Sequence, residues 1–247
     1  MIFQIAAFVK YVRFVVEHFR GRIHYYALWN EQDIDYWNPL PNPEDYGRLL
    51  KAVIPAVHGA DPQAKVIYGG QADPTREFAR RALDACDCAA GIDVFAYHTY
   101  PGYGQNLNPE SMDYGAYGDE SPAKLREMVR AYPGIRPNIP FWDDEFNSIP
   151  AWPGSDESVQ SKYIPRGMIY NWAQGVRTFV WLLTAATVEF FATGACSQAL
   201  AVKGARYLAV VTKTSASASA LGRGFSNANK ILMHRPSDTG LMRPAAP

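Results

Sequence analysis

Two glutamates end similar stretches of this sequence. Glu31 closes the stretch IHYYALWNE, and Glu145 closes the stretch IPFWDDE. In both, an apolar and aromatic run with the composition of a buried strand stops abruptly on acid. A parallel α/β fold places its chemistry just past the carboxyl ends of such strands. Two carboxyl groups held there could act together, one as a nucleophile and one as a general acid and base.

Another apolar run, residues 92–97, leads into His98 and Tyr100. These two residues are two positions apart, so they leave a strand on the same face. Tyr100 could donate a hydrogen bond to Glu145 and hold it ionised, and His98 could orient ligand hydroxyls. A structural histidine is an equally good interpretation of His98.

Strands and helices that alternate along the chain must position these residues. Apolar runs predict strands that end near residues 31, 70, 100, 145 and 183, with helical periodicity between them. This alternation favours a parallel sheet with right-handed crossovers. A closed (β/α)8 barrel takes about 250 residues for eight units. The sequence therefore predicts an α/β fold of the (β/α)8 TIM-barrel type that is incomplete, because only five strands are supplied.

The two ends of the chain carry different patterns. Residues 8–19 have apolar side chains at helical spacing with charged ones between them, which predicts an amphipathic helix rather than a membrane span or an export signal. Beyond residue 183 the regularity fades. We expect a partial catalytic domain over residues 1–211, including a last helix over 196–211, and a low-complexity or disordered tail over 212–247.

Composition limits the partners. The 24 basic residues balance the 24 acidic ones without a basic stripe, which argues against nucleic acid or an anionic membrane surface. Cys86 and Cys88 are too close to form a disulfide framework, and we expect a helix-end pair of free thiols rather than a metal clip.

Taken together, the Trp-Asn-Glu ending at residues 29–31, the HTYP of residues 98–101 and the strand-end Glu145 resemble the retaining glycoside hydrolases of clan A. The nearest likeness is to family 39-type and cellulase-like members. The resemblance runs from about residue 8 to about residue 184 and includes PEDYGRLLKAV and ADPQAKVIYGG between the motifs.

The resemblance implies a TIM barrel with the acid/base on strand four and the nucleophile on strand seven. The strands present then correspond to β4–β8, and strands one to three, which carry other sugar-contacting groups, are missing. Glu31 becomes the general acid/base and Glu145 the nucleophile of a retaining β-glycoside hydrolase that cleaves oligo- or polysaccharides by double displacement. Asn30 would hydrogen-bond the sugar 2-hydroxyl. No cofactor and no metal are implied, and localisation stays open although relatives are often secreted.

Two neighbours of the glutamates depart from the family pattern. Gln32 stands where the family usually has proline, and Asp144 stands where it usually has threonine or serine. Because adjacent strand residues point to opposite faces, we expect Asp144 to point away from Glu145.

Aromatic residues near the same strand ends are candidate sugar contacts. Trp181 could stack beneath the sugar or pack in the core, and Trp37, Trp152 and Tyr36 could be outer-subsite platforms or loop anchors.

Two other functions compete with catalysis by the glutamate pair. The first is a non-catalytic fragment that at most binds carbohydrate, or that self-associates or pairs with another chain through exposed barrel edges. The second is a metal-dependent hydrolase that uses His98, Asp143, Asp144 and Glu145, which five histidines in the whole chain make the weaker alternative.

Overall fold

The structure is a computed structural model that describes residues 5–37, 39–102, 108–111, 120–150, 155–180, 207–213 and 228–234. The helices of the described chain are α1 (Ile5–Phe19), α2 (Pro43–Ala60), α3 (Arg76–Cys86), α4 (Pro122–Ala131) and α5 (Glu157–Ala173), with a short 3-10 turn at Ala89–Gly91. The strands are β1 (Tyr25–Leu28), β2 (Lys65–Gln71), β3 (Val94–Thr99), β4 (Phe141–Phe146), β5 (Val176–Val180), β6 (Tyr207–Lys213) and β7 (Ala228–His234).

Strands β1 to β5 form a parallel sheet in sequential order, with a helix between each pair of neighbours. The predicted fold class is confirmed: five parallel strands alternate with helices, as in an incomplete (β/α)8 barrel. Because parallel strands share one carboxyl edge, the residues that follow β1, β3 and β4 meet on the same side of the sheet.

The far side of β1 is covered by an antiparallel hairpin. Strand β7 pairs with β1 through Tyr25 and His234, and β6 pairs with β7. The predicted helix is wrong for residues 207–211, where the β-branched and aromatic run YLAVV favours a strand. Strand β7 lies within the predicted tail, and the division at residue 211 stays a prediction.

Side-chain caps fix where the helices begin. The Asn42 side chain accepts a hydrogen bond from the Asp45 amide at 2.8 Å, and Pro43 occupies the first helical turn of α2. Ser121 and Pro122 repeat this arrangement at α4. Both starts follow the usual preference for a polar cap followed by proline.

The sheet buries a different cluster on each face. The larger cluster joins the helices to one face and contains the stacked rings of Tyr68 and Phe95, whose centroids are 4.1 Å apart. Helix α1 adds Val12, Val15 and Val16 to this cluster, as its periodicity predicts. The smaller cluster on the opposite face consists of Ala27, Ile67, Val94, Ala96 and Trp142.

Helices α2 and α3 approach each other at a glycine. A Cβ atom at Gly47 would lie 2.3 Å from the carbonyl oxygen of Ala82, so a larger residue would force the helices apart. No helix in the described chain has the length and apolar character needed to cross a bilayer.

The sulfur atoms of Cys86 and Cys88 lie in contact at the end of α3, where the sequence predicts a pair of free thiols. Between them, Asp87 adopts a left-handed backbone conformation with φ of 48°, and the two cysteine Cα atoms lie 5.0 Å apart. This local turn, which residue spacing alone does not reveal, brings the sulfur atoms together.

Candidate active site

Glu31, His98 and Glu145 lie together at the carboxyl edge of the parallel sheet. One oxygen of each carboxylate and one ring nitrogen of His98 all lie within 4.8 Å of one another. The residues are buried, with 8 %, 1 % and 7 % of their surfaces exposed. Retaining glycosidases hold their two carboxyl groups roughly 5–5.5 Å apart. The two glutamates that the sequence singles out therefore lie close enough for both to contact one small ligand.

A tight turn after β1 presents Glu31. Trp29 and Glu31 both have positive φ values, 78° and 52°, which L-residues rarely adopt and which cost about 1 kcal/mol or more each. The Glu31 amide donates a hydrogen bond of 2.8 Å to the carbonyl of Gly70 on β2. The turn is thus strained locally and fastened to the neighbouring strand.

Two buried side chains also connect the ends of β1 and β2 through hydrogen bonds. The Tyr46 hydroxyl donates to the Leu28 carbonyl at 2.7 Å and accepts from the Gly69 amide at 2.9 Å. The side-chain amide of Gln32 donates to the Gly69 carbonyl at 2.9 Å. Gln32 stands at the position where the family that the sequence resembles usually has proline. Its side chain therefore connects the turn at Glu31 to β2.

His98 lies between two carboxylates. Its Nδ1 is 2.9 Å from Oε1 of Glu31, and its Nε2 is 3.3 Å from Oδ1 of Asp144. Burial lowers the pKa of His98, but the charge of Glu145 and the contacts with Asp144 and Glu31 outweigh it, so the pKa is raised well above its ordinary value. Each ring nitrogen therefore faces a carboxylate oxygen to which it can donate a hydrogen bond.

Tyr100 holds the second glutamate. Its hydroxyl donates a hydrogen bond to Oε1 of Glu145, as the sequence predicts. Burial and the charge of Glu145 raise the pKa of Tyr100 well above its ordinary value, so the hydroxyl keeps its proton. A permanent donor of this kind favours the ionised form of Glu145.

A bulge in β4 explains why the prediction for Asp144 is wrong. Asp143 pairs with Tyr97 and Glu145 pairs with His98, which leaves Asp144 as an extra residue between them. Bulges re-aim side chains next to active sites. As a result Asp144 lies beside His98, on the same side as Glu145, instead of pointing to the opposite face.

Asp143 faces the helix layer instead. It accepts hydrogen bonds from the Thr99 amide at 3.1 Å, from the Thr99 hydroxyl, and from the Asn171 side chain of α5 at 2.9 Å. Burial raises the pKa of Asp143 to about 8 despite these donors. This anchor between β3, β4 and α5 was not predicted from the sequence, because nothing in the spacing of the three residues marks it.

The remaining candidate residues are placed as follows. Asn30 is buried directly before Glu31. Tyr36 is half-buried, and burial together with the charges of Glu31 and Glu145 raises its pKa to about 12. Trp37 is 4 % exposed and packs 5.0 Å from the ring of Trp29, which favours a loop anchor. Trp152 and Trp181 lie outside the described residues.

A metal ion is a weak fit to this cluster. Glu31, His98 and Glu145 could each offer one atom to a cation. However, Nδ1 of His98 already lies 2.9 Å from Oε1 of Glu31 and Nε2 lies 3.3 Å from Oδ1 of Asp144, so both ring nitrogens face carboxylate oxygens instead of an open position. Asp143, which belongs to the predicted metal set, points away toward Asn171.

The likeness of this chain to known proteins lies in its fold. No protein-family model and no curated protein sequence matches the chain. Among solved structures it is similar to a glucosidase from Croceicoccus marinus, with a TM-score of 0.56 and 18% identity over 76% of this chain and 40% of that one. It is also similar to a family 39 β-xylosidase from Caulobacter crescentus, with a TM-score of 0.52 and 18% identity over 72% of this chain and 39% of that one.

A third solved structure has a similar likeness. It is a family 44 xyloglucanase from Paenibacillus polymyxa, with a TM-score of 0.53 and 14% identity over 72% of this chain and 47% of that one. The chain thus spans less than half the length of each of these structures. At these identities the likeness establishes the fold class.

Proposed function

We propose that this chain carries the catalytic pair of a retaining β-glycoside hydrolase. The observation that carries the proposal is the distance between the glutamates, whose nearest carboxylate oxygens lie within 4.8 Å at the carboxyl edge of a parallel sheet. Each glutamate also contacts a polar side chain: the Tyr100 hydroxyl donates a hydrogen bond to Glu145, and Nδ1 of His98 lies against Glu31.

In this proposal Glu145 is the nucleophile. It attacks the anomeric carbon while Glu31 gives a proton to the departing glycosidic oxygen, which leaves a glycosyl–Glu145 ester and an ionised Glu31. Glu31 then takes a proton from water, the resulting hydroxide attacks the anomeric carbon, and Glu145 departs as a carboxylate. The proton and both carboxyl groups return to their starting states.

The substrate of the proposed enzyme is a β-linked oligo- or polysaccharide. The similar structures are named as a glucosidase, a β-xylosidase and a xyloglucanase, which supports a carbohydrate ligand for this chain. Asn30, next to Glu31, is the proposed contact of the sugar 2-hydroxyl. The sugar contacts assigned to Trp152 and Trp181 stay predictions.

A non-catalytic, carbohydrate-binding fragment is the second candidate. The parallel part of the described sheet has five strands, whereas a closed barrel of this type has eight. The chain also covers only 40% of the Croceicoccus marinus glucosidase. A sugar site that lacks part of its wall could bind a ligand without turning it over.

Covalent trapping distinguishes these two candidates. The chain is incubated with activated 2-deoxy-2-fluoro-β-glycosides of several sugars, and its intact mass and peptide masses are measured. We expect one adduct, located on Glu145, and none in the Glu145→Gln variant. The matched control is Asp143→Asn, which replaces a neighbouring carboxylate that faces α5 and should still be labelled. Absence of an adduct with every sugar, in protein shown to be folded, rejects the catalytic proposal.

A further inference from the structure

Two buried polar atoms of the site lie next to each other, and neither has another hydrogen-bond partner among the described residues. Nε2 of His98 and Oδ1 of Asp144 lie 3.3 Å apart, and neither has a hydrogen bond of good geometry to another described residue. Both side chains are almost fully buried. Buried polar groups in native proteins are nearly always paired, so these two atoms are each other's natural partners.

We propose that Asp144 is a positioning residue that accepts the Nε2 proton of His98 and thereby holds the Nδ1 edge of the ring against Glu31. The inference rests on the proposed function, in which Glu31 is the acid/base.

The surroundings leave the ring little freedom. A Cβ atom at Gly70 would lie 2.1 Å from Nε2 of His98 and 2.7 Å from Oδ1 of Asp144, so both groups pack directly against the backbone of β2. The bulge in β4 is what brings Asp144 to this position. With an acceptor on either side, one orientation of the imidazole satisfies both of its nitrogens, and a flipped ring would turn carbon atoms toward the carboxylates.

This arrangement orients the proton of Glu31. When Nδ1–H donates to Oε1 of Glu31, the carboxyl group has Oε2 left to carry the proton that goes to the departing oxygen. After that transfer, the same Nδ1–H stabilises the ionised carboxylate. Asp144 contributes no atom to the reaction and acts only through His98, in the way that a buried carboxylate fixes the histidine of a catalytic triad.

Three variants of the full chain test the proposal. Asp144→Ala removes the acceptor, Asp144→Asn keeps an oxygen acceptor without the charge, and Asp143→Asn changes the adjacent carboxylate that faces Thr99. The ring nitrogens of His98 are observed by long-range ¹H–¹⁵N spectra, with the resonances assigned by their absence in His98→Gln. Hydrolysis is measured with β-glycosides that have good leaving groups and with others that have poor ones. Only a poor leaving group needs a proton from the general acid in order to depart at an appreciable rate.

We expect a hydrogen-bonded Nε2 proton on His98 in the wild type and in Asp143→Asn. Asp144→Ala should lose this proton signal and lower kcat for the poor leaving group by about 10- to 100-fold, as expected for a catalytic group misplaced by about 1 Å. The loss should be smaller for the good leaving group, and KM should change little. Asp144→Asn should restore part of the activity.

A wild-type His98 spectrum in Asp144→Ala would overturn the proposal, and so would an equal loss of kcat for both leaving groups. If Asp144→Ala fails to fold, Asp144→Asn is compared with the wild type instead. An unchanged chemical shift of the His98 Nε2 proton in that variant would then contradict the proposal. If the wild type hydrolyses no glycoside, the proposed function fails, and the His98 spectra alone decide whether Asp144 orients the ring.

Discussion

A single methyl group added at Gly70 on β2 should displace the side chain of His98 and so disrupt the site. In Gly70→Ala the new Cβ would lie 2.1 Å from Nε2 and 2.5 Å from Cδ2 of His98, where ordinary contacts begin near 3.4 Å. The imidazole must therefore move by more than about 1 Å, because Gly70 belongs to the backbone of β2 and cannot yield as easily. Such a shift breaks the 2.9 Å contact between His98 and Glu31.

The size of the effect follows from that contact. A hydrogen bond that involves a charged group contributes about 1.5–3 kcal/mol, and overpacking a buried site costs about 1–3 kcal/mol more. We expect the free energy of unfolding in urea to fall by about 2.5–6 kcal/mol, the sum of these two effects. Any glycosidase activity should fall by about 100-fold, as for a catalytic group displaced by 1 Å.

The matched control is Gly59→Ala in helix α2. An added Cβ there meets no atom within 4 Å, so alanine should stabilise the helix by about 0.5–1 kcal/mol. The two variants make the same chemical change with opposite expected signs. If Gly70→Ala unfolds at the same urea concentration as the wild type and keeps the wild-type His98 spectrum, the packing argument for this site is wrong.

Three further predictions concern other contacts. Burial raises the pKa of Asp143 to about 8 in the folded chain, against a value near 4 in the unfolded chain. The folded state therefore holds the Asp143 proton more tightly, and this stabilisation is complete below about pH 4 and is lost progressively as the pH rises through about 8. The wild type should therefore lose up to about 1.4 kcal/mol per pH unit relative to Asp143→Asn within that window, measured by urea unfolding, and parallel pH profiles would contradict this. Tyr100→Phe removes the hydroxyl bonded to Glu145, so it should slow fluoroglycoside labelling about 10- to 100-fold and lower the free energy of unfolding by about 1.5–3 kcal/mol; labelling at the wild-type rate would remove Tyr100 from the site. Gly47→Ala should lower the thermal midpoint by several degrees, because its Cβ would contact the Ala82 carbonyl at 2.3 Å, and a midpoint equal to that of Gly59→Ala would refute the close approach of α2 and α3.

Local signals in the sequence predict much of the fold. Polar caps followed by proline mark the starts of α2 and α4, and apolar runs mark the five parallel strands. The glutamate pair is predictable for the same reason, because parallel strands end on one edge and each carboxylate directly follows its run. These features depend on a few adjacent residues, which are visible without coordinates.

The remaining features depend on contacts between distant segments. The position of Asp144 follows from a bulge in β4, and the rule of alternating faces assumes a regular strand. The anchor of Asp143 to Asn171 and the pairing of β7 with β1 join residues that no local pattern relates. The closeness of the two glutamates could therefore be predicted from the sequence, while the contacts of Asp143 and Asp144 could not.

The hairpin that covers β1 makes two arrangements of the sheet mutually exclusive. The outer edge of β1 offers a single row of backbone donors and acceptors, and β7 pairs with it at Tyr25 and Tyr26 in the antiparallel direction. In a closed (β/α)8 barrel the same row would bind a parallel strand. Any strand that extends the barrel on this side must take the place of β7 at these residues, so completion of the barrel would be a strand-exchange reaction.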